Sequence, residues 1–481
     1  MPILNEYPQL QMIQTLARQK KMSVFLVGGY IRDALMGSLK RDFDFAVSKD
    51  AILLARHFAR KVRGSFVLLD DEHGCARVIK KIKGRVLTFD FAEYRAETIK
   101  QDLAHRDFTI NTLCVDLLGL DDQMDLEDVV LDYKNGLKDL NARTVKMTSV
   151  KVFKDDPLRM LRAFSLQATL NFKIEDKTLL QIQKDADLIR TVSYERIRDE
   201  FFKILSSPQT YENIQQMEAV GLLDRVIPQI HVMYNCKQGR YHHLDVWAHS
   251  METLRQMELM WSDLGSISDG EDVRINFSEF LGGERTRWAL IKLACLLHDI
   301  GKPEAKKKVD DRFLFHAHEH IGQSIVRTVA QLLKLSNRER YALEDMVRWH
   351  LRPGYLSNFQ RPSEKAIYRY FRDTKDEAVS IAVLSLADQQ STRGPLTTAQ
   401  KQAHHKEICM DLIARYFVIK RKKPFERLIN GHDLVRALQI RPSPFFSKIL
   451  SEVEEQQNLD KIKTKEDALI LARQIFERIK K

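Results

Sequence analysis

Two aspartates one residue apart, Asp42 and Asp44 in "KRDFDFAV", hold the densest chemistry of this sequence. In an extended strand, residues two apart point to one face, so both carboxylates would stand together while Phe43 and Phe45 turn to a core. Like charges at that distance repel, and the pairing becomes favourable when a hard divalent cation lies between them; magnesium prefers carboxylate and phosphate oxygens. Asp90 in "RVLTFDFAEY" offers a third carboxylate, again flanked by Phe89 and Phe91. Three carboxylates on two strands could hold a metal pair about 4 Å apart, the arrangement used for in-line nucleotidyl transfer.

Immediately upstream, "SVFLVGGYIRDALMG" sets Gly28 and Gly29 between a strand-like and a helix-like run. Lacking side chains, they would let a triphosphate approach backbone N–H groups at a helix start, and Arg32 could add a charge-assisted contact. A lone Gly-Gly is more often only a tight turn. In "DDPLRMLRAF", Asp156 suits a helix N-cap and Pro157 a first helical turn. Asp156 and Arg159 also lie three apart on one helical face, an acceptor beside a donor fork. Cytosine and adenine pair an exocyclic amine donor with a ring-nitrogen acceptor, whereas uracil and guanine present the reverse. An Asp-Arg pair can therefore accept C and A and reject U and G without a nucleic-acid template.

The elements that must position these groups change along the chain. Residues 1 to about 120 mix strand-like runs (24–27, 43–47, 66–69, 77–82, 86–91 and 113–117) with helical stretches, which predicts an α/β domain with a mixed sheet. From about residue 150 the periodicity is helical nearly everywhere. The Gly-, Ser- and acid-rich segment 262–284 reads as an inserted surface loop, and further boundaries are expected near 391–400 and 420–433. The domain expectation is a head at 1–145, a helical neck at 146–210, a helical body at 211–395 and a helical tail at 396–481.

Composition narrows the class. A formal charge of +11 favours a polyanionic partner, because clustered Lys and Arg release counterions from phosphates. The longest apolar runs fall short of a membrane span and the N-terminus lacks a basic-then-apolar signal, so no membrane association and a cytoplasmic location are expected. Five scattered cysteines (Cys75, Cys114, Cys236, Cys295 and Cys409) read as reduced core residues.

The run "LVGGYIRDALMGSLKRDFDFA" resembles the head signature of class II tRNA nucleotidyltransferases and the related bacterial poly(A) polymerases. The similarity continues through "HRDFTINTL", "GLKDLNARTV", "DDPLRMLRAF" and "ERIRDEFFKIL", in family order over the first 205 residues. It implies a polymerase-β-like head, a Mg2+-dependent transfer of CMP and/or AMP from CTP or ATP, and tRNA as acceptor. It also implies that Arg106 and Asp107 bind the ribose and phosphates, that Asn111 supports the site, that Asp156 and Arg159 select the base, and that Arg162 lies near the phosphates. Asp155, Ser165 and His105 depart from the family's usual Glu, Arg and Arg. Only ten residues, "AETIKQDLAH", separate Arg95 from Arg106, where many enzymes that build the whole CCA end have a longer flexible loop. That shortness raises the alternative of an enzyme adding only CC or only A.

Beyond residue 240, His249, His298-Asp299, His318, His350 and Asp388 resemble the HD phosphohydrolase superfamily, in which His, His-Asp and a distant Asp bind divalent metal. Imidazoles with carboxylates suit a transition metal better than magnesium alone. An active centre of this kind would hydrolyse phosphoesters such as cyclic phosphates or small nucleotides; an inactive one would persist as a helical body. The tail resembles the tRNA-contacting end of HD-containing family members. A poly(A) polymerase is the nearest alternative, and an HD phosphohydrolase with a nucleotide-binding head is the alternative from a different class. Oligomeric state has no signature in the sequence.

Overall fold

Residues Asp42–Val47 alternate acid and phenylalanine before ending in Ala-Val, and in the computed structural model they form a central strand of a six-stranded sheet. The structure describes residues 3–480 apart from 39, 122, 240–242, 264–268, 311, 395–397 and 423–425. The strands are β1 (Val24–Val27), β2 (Asp42–Val47), β3 (Ser65–Asp70), β4 (Cys75–Ile82), β5 (Arg85–Glu93) and β6 (Cys114–Asp116), in spatial order β3-β4-β5-β2-β1-β6. β2 and β5 run parallel, and the other neighbours are antiparallel. Phe43 and Phe45 are each 1% exposed and stack on Phe89 and Phe91 of β5 at 5.2 and 4.9 Å. The helix Ala51–Val62 buries Leu54, Ala55, Phe58, Ala59 and Val62, an i, i+3, i+4 stripe that lays Phe58 edge-on against Phe89 and Phe91.

By contacts the chain divides into two compact units, Met1–Ser207 with Glu212–Val226, and Pro208–Tyr211 with Ile227–Lys481. The first carries the sheet and the helices Leu158–Leu170 and Tyr194–Ser206, which pack together. The second is helical, built on Val246–Asp263, Arg287–Leu297, His318–Leu332, Asn337–Trp349 and Ala378–Ser391. Arg287–Leu297 is buried nearly all round, as its unbroken apolar run requires.

The segment read as a surface loop at 262–284 is largely ordered secondary structure. Gly270–Ser278 is a helix whose Val273 and Phe277 are buried, and Phe280–Gly282 pairs with Arg285–Thr286. Phe277 reaches Trp261 and Trp288, so apolar anchoring overrides a composition that favours a loop. Residues 264–268 of that segment lie outside the described ones, as do parts of the two expected boundaries near 391–400 and 420–433. Two further short pairs, Lys307–Val309 with Arg312–Leu314 and Thr144–Val145 with Lys173–Ile174, interrupt the helical stretch. All five cysteines are free. Among the described residues no helix is long and apolar enough to cross a membrane.

The C-terminal helices Gly431–Leu438, Phe445–Asn458 and Lys465–Lys480 enclose their own small core around Leu434, Ile449, Val453 and Ala472. They meet the helix Glu364–Thr374 through one buried carboxylate, Glu455, which accepts from Arg369 at 2.8 and 3.2 Å and pairs with Lys365 at 3.0 Å. Burial would raise this carboxyl, but the two cations outweigh it and hold it below the usual range. A depressed folded value means that the stabilisation is complete above the ordinary carboxylate pKa and is lost as the pH falls through the folded one. Glu455→Gln should cost about 1–3 kcal/mol, since it leaves half-exposed cations facing a neutral buried amide. Hydrogen exchange should then accelerate in residues 428–480 and not in the sheet; unchanged exchange in the tail would contradict this.

Candidate functional site

The acids of the sheet owe their positions to strand register. Parallel pairing of β2 with β5 sets Asp44 opposite Asp90 and Asp42 opposite Thr88, with the stacked phenylalanines on the other face. Burial pushes the Asp44 carboxyl up; Arg106 and Arg162 oppose this, and Asp90 and Asp42 add to it. A carboxyl held up by burial and by two neighbouring acids is one whose ionised form a divalent cation would stabilise, so the residues present fit the expected metal. Asp42 is exposed. Both oxygens of Asp90 accept from Arg77 of β4, at 2.7 Å each, a partner that the sequence reading did not single out. It was open to inference: the two-residue turn Lys83-Gly84, both at positive φ, sets the hairpin register that places Arg77 opposite Asp90.

Gly28 joins β1 to the helix Gly29–Leu35 at a φ of +78°. A Cβ there would lie 3.3 Å from both Arg106 Nη1 and Asp44 Oδ2, so the close approach of these groups depends on glycine. The nearby polar groups form a continuous chain. Arg32, buried beside Gly29, donates to Asp33 at 2.8 Å and to Asn111 at 2.7 Å. Asn111 in turn donates to Asp107 at 3.0 Å, and Arg162 pairs with Asp107 at 3.0 Å. Burial would raise the Asp107 carboxyl, but Arg162, Asn111 and the Phe108 N–H outweigh it and hold it below the usual range.

Asp156 lies just before the helix Leu158–Leu170, where it accepts from the Leu158 N–H at 3.2 Å and from Arg196 at 2.8 Å. Pro157, rather than Asp156, occupies the N-cap position. Arg159 donates to Val152 O at 3.4 Å, and burial lowers its pKa. Between Arg95 and Arg106 the chain forms the helix Ile99–Ala104, closed by a Thr98/Gln101 capping box. Asp102 ties both ends, accepting from the Arg95 N–H at 3.0 Å and lying 3.7 Å from Arg106 Nε.

In the second unit, His298 and Asp299 follow the helix Arg287–Leu297, His318 opens its helix, and His350 follows Asn337–Trp349. His298, His318 and His350 each share a hydrogen bond between Nδ1 and a backbone carbonyl three residues earlier, at 2.8–2.9 Å. Their buried Nε2 atoms make no hydrogen bond. Asp299 lies 3.2–3.7 Å from these three Nε2 atoms, and Asp388 lies 2.9 Å from His249 Nε2. Two groups with ligand atoms close enough for one ion, His249–His298–Asp299 and Asp299–His318–His350, share Asp299. Three buried imidazole nitrogens aimed at one carboxylate fit a divalent metal. Burial pushes His350 down to about 3 and lowers His249; on His298, Asp299 outweighs burial and raises it. Gly301 of "HDIGKP" leaves no room for a side chain, since a Cβ would meet His318 O at 2.1 Å. A cavity of about 1170 Å³ reaches Asp299, His318 and Asp388 and is walled by Lys302, Phe313, Phe315, Tyr355 and Arg361.

A sheet whose two central parallel strands present acids, and a helical unit with a shared His-Asp cluster, together define a nucleotidyltransferase head and an HD-type body. The family descriptions agree: "Poly A polymerase head domain" matches residues 24–146, "Probable RNA and SrmB- binding site of polymerase A" matches 171–233, and "HD domain" matches 246–392. An A-adding tRNA nucleotidyltransferase of Deinococcus radiodurans is 29% identical over 92% of this chain and 93% of its own. A CC-adding tRNA nucleotidyltransferase of Geobacter sulfurreducens is 34% identical over 62% of this chain and 64% of its own. Among solved structures, a CCA-adding enzyme in complex with ATP aligns with a TM-score of 0.63 at 20% identity, covering 100% of this chain and 94% of that one. A Thermotoga maritima CCA-adding enzyme complexed with tRNA aligns at 0.60 and 19% identity, covering 98% and 94%. The chain carries these three domains in that order and resembles tRNA nucleotidyltransferases along more than nine-tenths of its length, and it is a nucleotidyltransferase.

Proposed function

We propose that this protein transfers CMP or AMP from CTP or ATP to the 3′ end of tRNA. The observation that carries this is the register that faces Asp44 with Asp90 beside Gly28 and Arg106. Asp42 and Asp44 would hold Mg2+, with Asp90 completing the carboxylate set. When bound, the metal supplies positive charge to the triphosphate and to the phosphoryl group in transfer. The tRNA 3′ hydroxyl oxygen, its proton released to solvent, forms a bond to the α-phosphorus as the bond to pyrophosphate breaks. Arg106 and Asp107 contact ribose and phosphates, Asn111 and Arg32 brace Asp107, and Arg162 supplies charge near the phosphates. Gly28 and Gly29 leave room for the triphosphate, and Asp156 with Arg159 read the base edge. In this reading residues 1–145 are the transferase head, 146–210 the neck that selects the base, 211–395 the HD body and 396–481 a tRNA-binding tail. The tRNA would be held mainly by shape and backbone contacts.

The capped helix between Arg95 and Arg106 favours one narrower form of this activity. A pocket that must switch from C to A needs a segment that can move, and here that segment is a six-residue helix tied at both ends by Asp102. We therefore read the enzyme as adding one nucleotide type, CC or the terminal A, and this agrees with the relatives named above for those partial activities. Asp42→Ala should reduce nucleotide incorporation at least about 1,000-fold, while tRNA affinity changes less than about twofold, by filter binding. Incorporation at the parental rate would overturn the assignment.

The orphaned imidazole nitrogens support a divalent transition metal in the body, available for phosphoester hydrolysis. Elemental analysis of the purified protein should find about one or two such ions per chain, lost in His298→Ala while incorporation by the head persists. A parental protein free of metal after growth with manganese, zinc and nickel, and unable to take any of them up, would contradict this.

A further inference from the structure

The base-reading carboxylate is held by a group outside its own motif, and the hold follows from how two helices are latched. Tyr194–Ser206 lies against Leu158–Leu170, and two polar links fix their register. At one link, Ser165 Oγ donates to the buried Glu200 carboxylate, which also accepts from Lys203 at 2.7 Å. At the other, Arg196, in the first turn of its helix, donates through Nη2 to Asp156 Oδ2 at 2.8 Å. Asp156 Oδ1 is meanwhile engaged by the Leu158 N–H. An ionised carboxylate has about four acceptor directions, so two remain for a ligand, and their aim depends on what fixes the first two.

We propose that Arg196 is a specificity-determining positioning residue: it orients the Asp156 carboxylate so that its remaining lone pairs meet the exocyclic amine of cytosine or adenine. The proposal rests on the reading of Asp156 and Arg159 as the base selectors. A carboxylate fixed at both oxygens discriminates through direction, whereas one free to rotate can turn away from an incorrect base and reduce its penalty. The latch also gives Ser165 a role. Its hydroxyl reaches Glu200 directly and so adds a second polar link between the two helices that carry Asp156 and Arg196.

The test compares parental protein with Arg196→Gln, Arg196→Lys, Asp156→Asn and the double variant Asp156→Asn/Arg196→Gln, measuring kcat and KM for CTP, ATP, UTP and GTP on one tRNA. Arg196→Gln should reduce the preference for the correct nucleotide over UTP about 10- to 100-fold, through a higher kcat/KM for UTP together with a lower one for the correct nucleotide, with tRNA affinity unchanged. Arg196→Lys, which keeps a donor and the charge, should recover part of that preference, and the double variant should be no worse than Asp156→Asn alone. An equal loss with all four nucleotides would reduce Arg196 to a structural latch and overturn the proposal, as would an unchanged preference. If Arg196→Gln does not fold, Arg196→Lys decides: an intermediate preference supports the proposal, and a parental or uniformly reduced one overturns it. Full discrimination in Asp156→Asn would instead overturn the base-selection reading itself, which separates the two failures.

Discussion

The head depends on the parallel pairing of β2 with β5. Side chains in a strand alternate with a period of two, so a slip of one residue would send Asp44 into the apolar layer and bring Phe43 and Phe45 to the surface. The stacked pairs Phe43–Phe89 and Phe45–Phe91, wedged by Phe58, make that slip costly. The hydrophobic core thereby sets the position of the acids. What the core cannot do is relieve their mutual repulsion, and the surrounding charges do this in part: Arg77 grips Asp90, while Arg106 and Arg162 act on Asp44. Burial still holds the Asp44 carboxyl above its ordinary value despite these arginines, and a site in that condition is prepared for a cation.

The rest of the first unit extends the same logic. Asp107 is buried yet held ionised by Arg162 of the helix Leu158–Leu170, and Asn111 and Arg32 carry the connection back to Gly29. This chain fixes the helix that presents Asp156 and Arg159 relative to the sheet that presents the acids. In the second unit, Asp299 is the corresponding hub, approached by His298, His318 and His350, whose other ring nitrogens are engaged by backbone carbonyls. Both centres collect charge whose cost the protein alone does not cancel.

Much of this was legible before the structure, for identifiable reasons. The six strands of the head were readable because acid–phenylalanine alternation and Gly-bounded apolar runs are strong period-two signals. The members of the His-Asp cluster were named from their order along the chain. Arg77 was missed although the Lys83-Gly84 turn encodes its partner, and Arg196 because its contact spans 40 residues between two helices whose register no local pattern reveals. The helix Gly270–Ser278 was read as a loop because Gly, Ser and acids dominate locally, while the anchor that orders it, Phe277 against Trp261 and Trp288, is tertiary.

The most direct measurement is extension of three tRNA transcripts, ending before CCA, after C and after CC, with magnesium and CTP, ATP or both, resolved to single nucleotides. The ordered helix between Arg95 and Arg106 predicts a restricted product: arrest after CC on the shorter transcripts, or a single A added only to the transcript that already ends in CC. Growth of the shortest transcript to a complete CCA end would contradict the account, because the pocket would then switch base specificity without a mobile segment at that position.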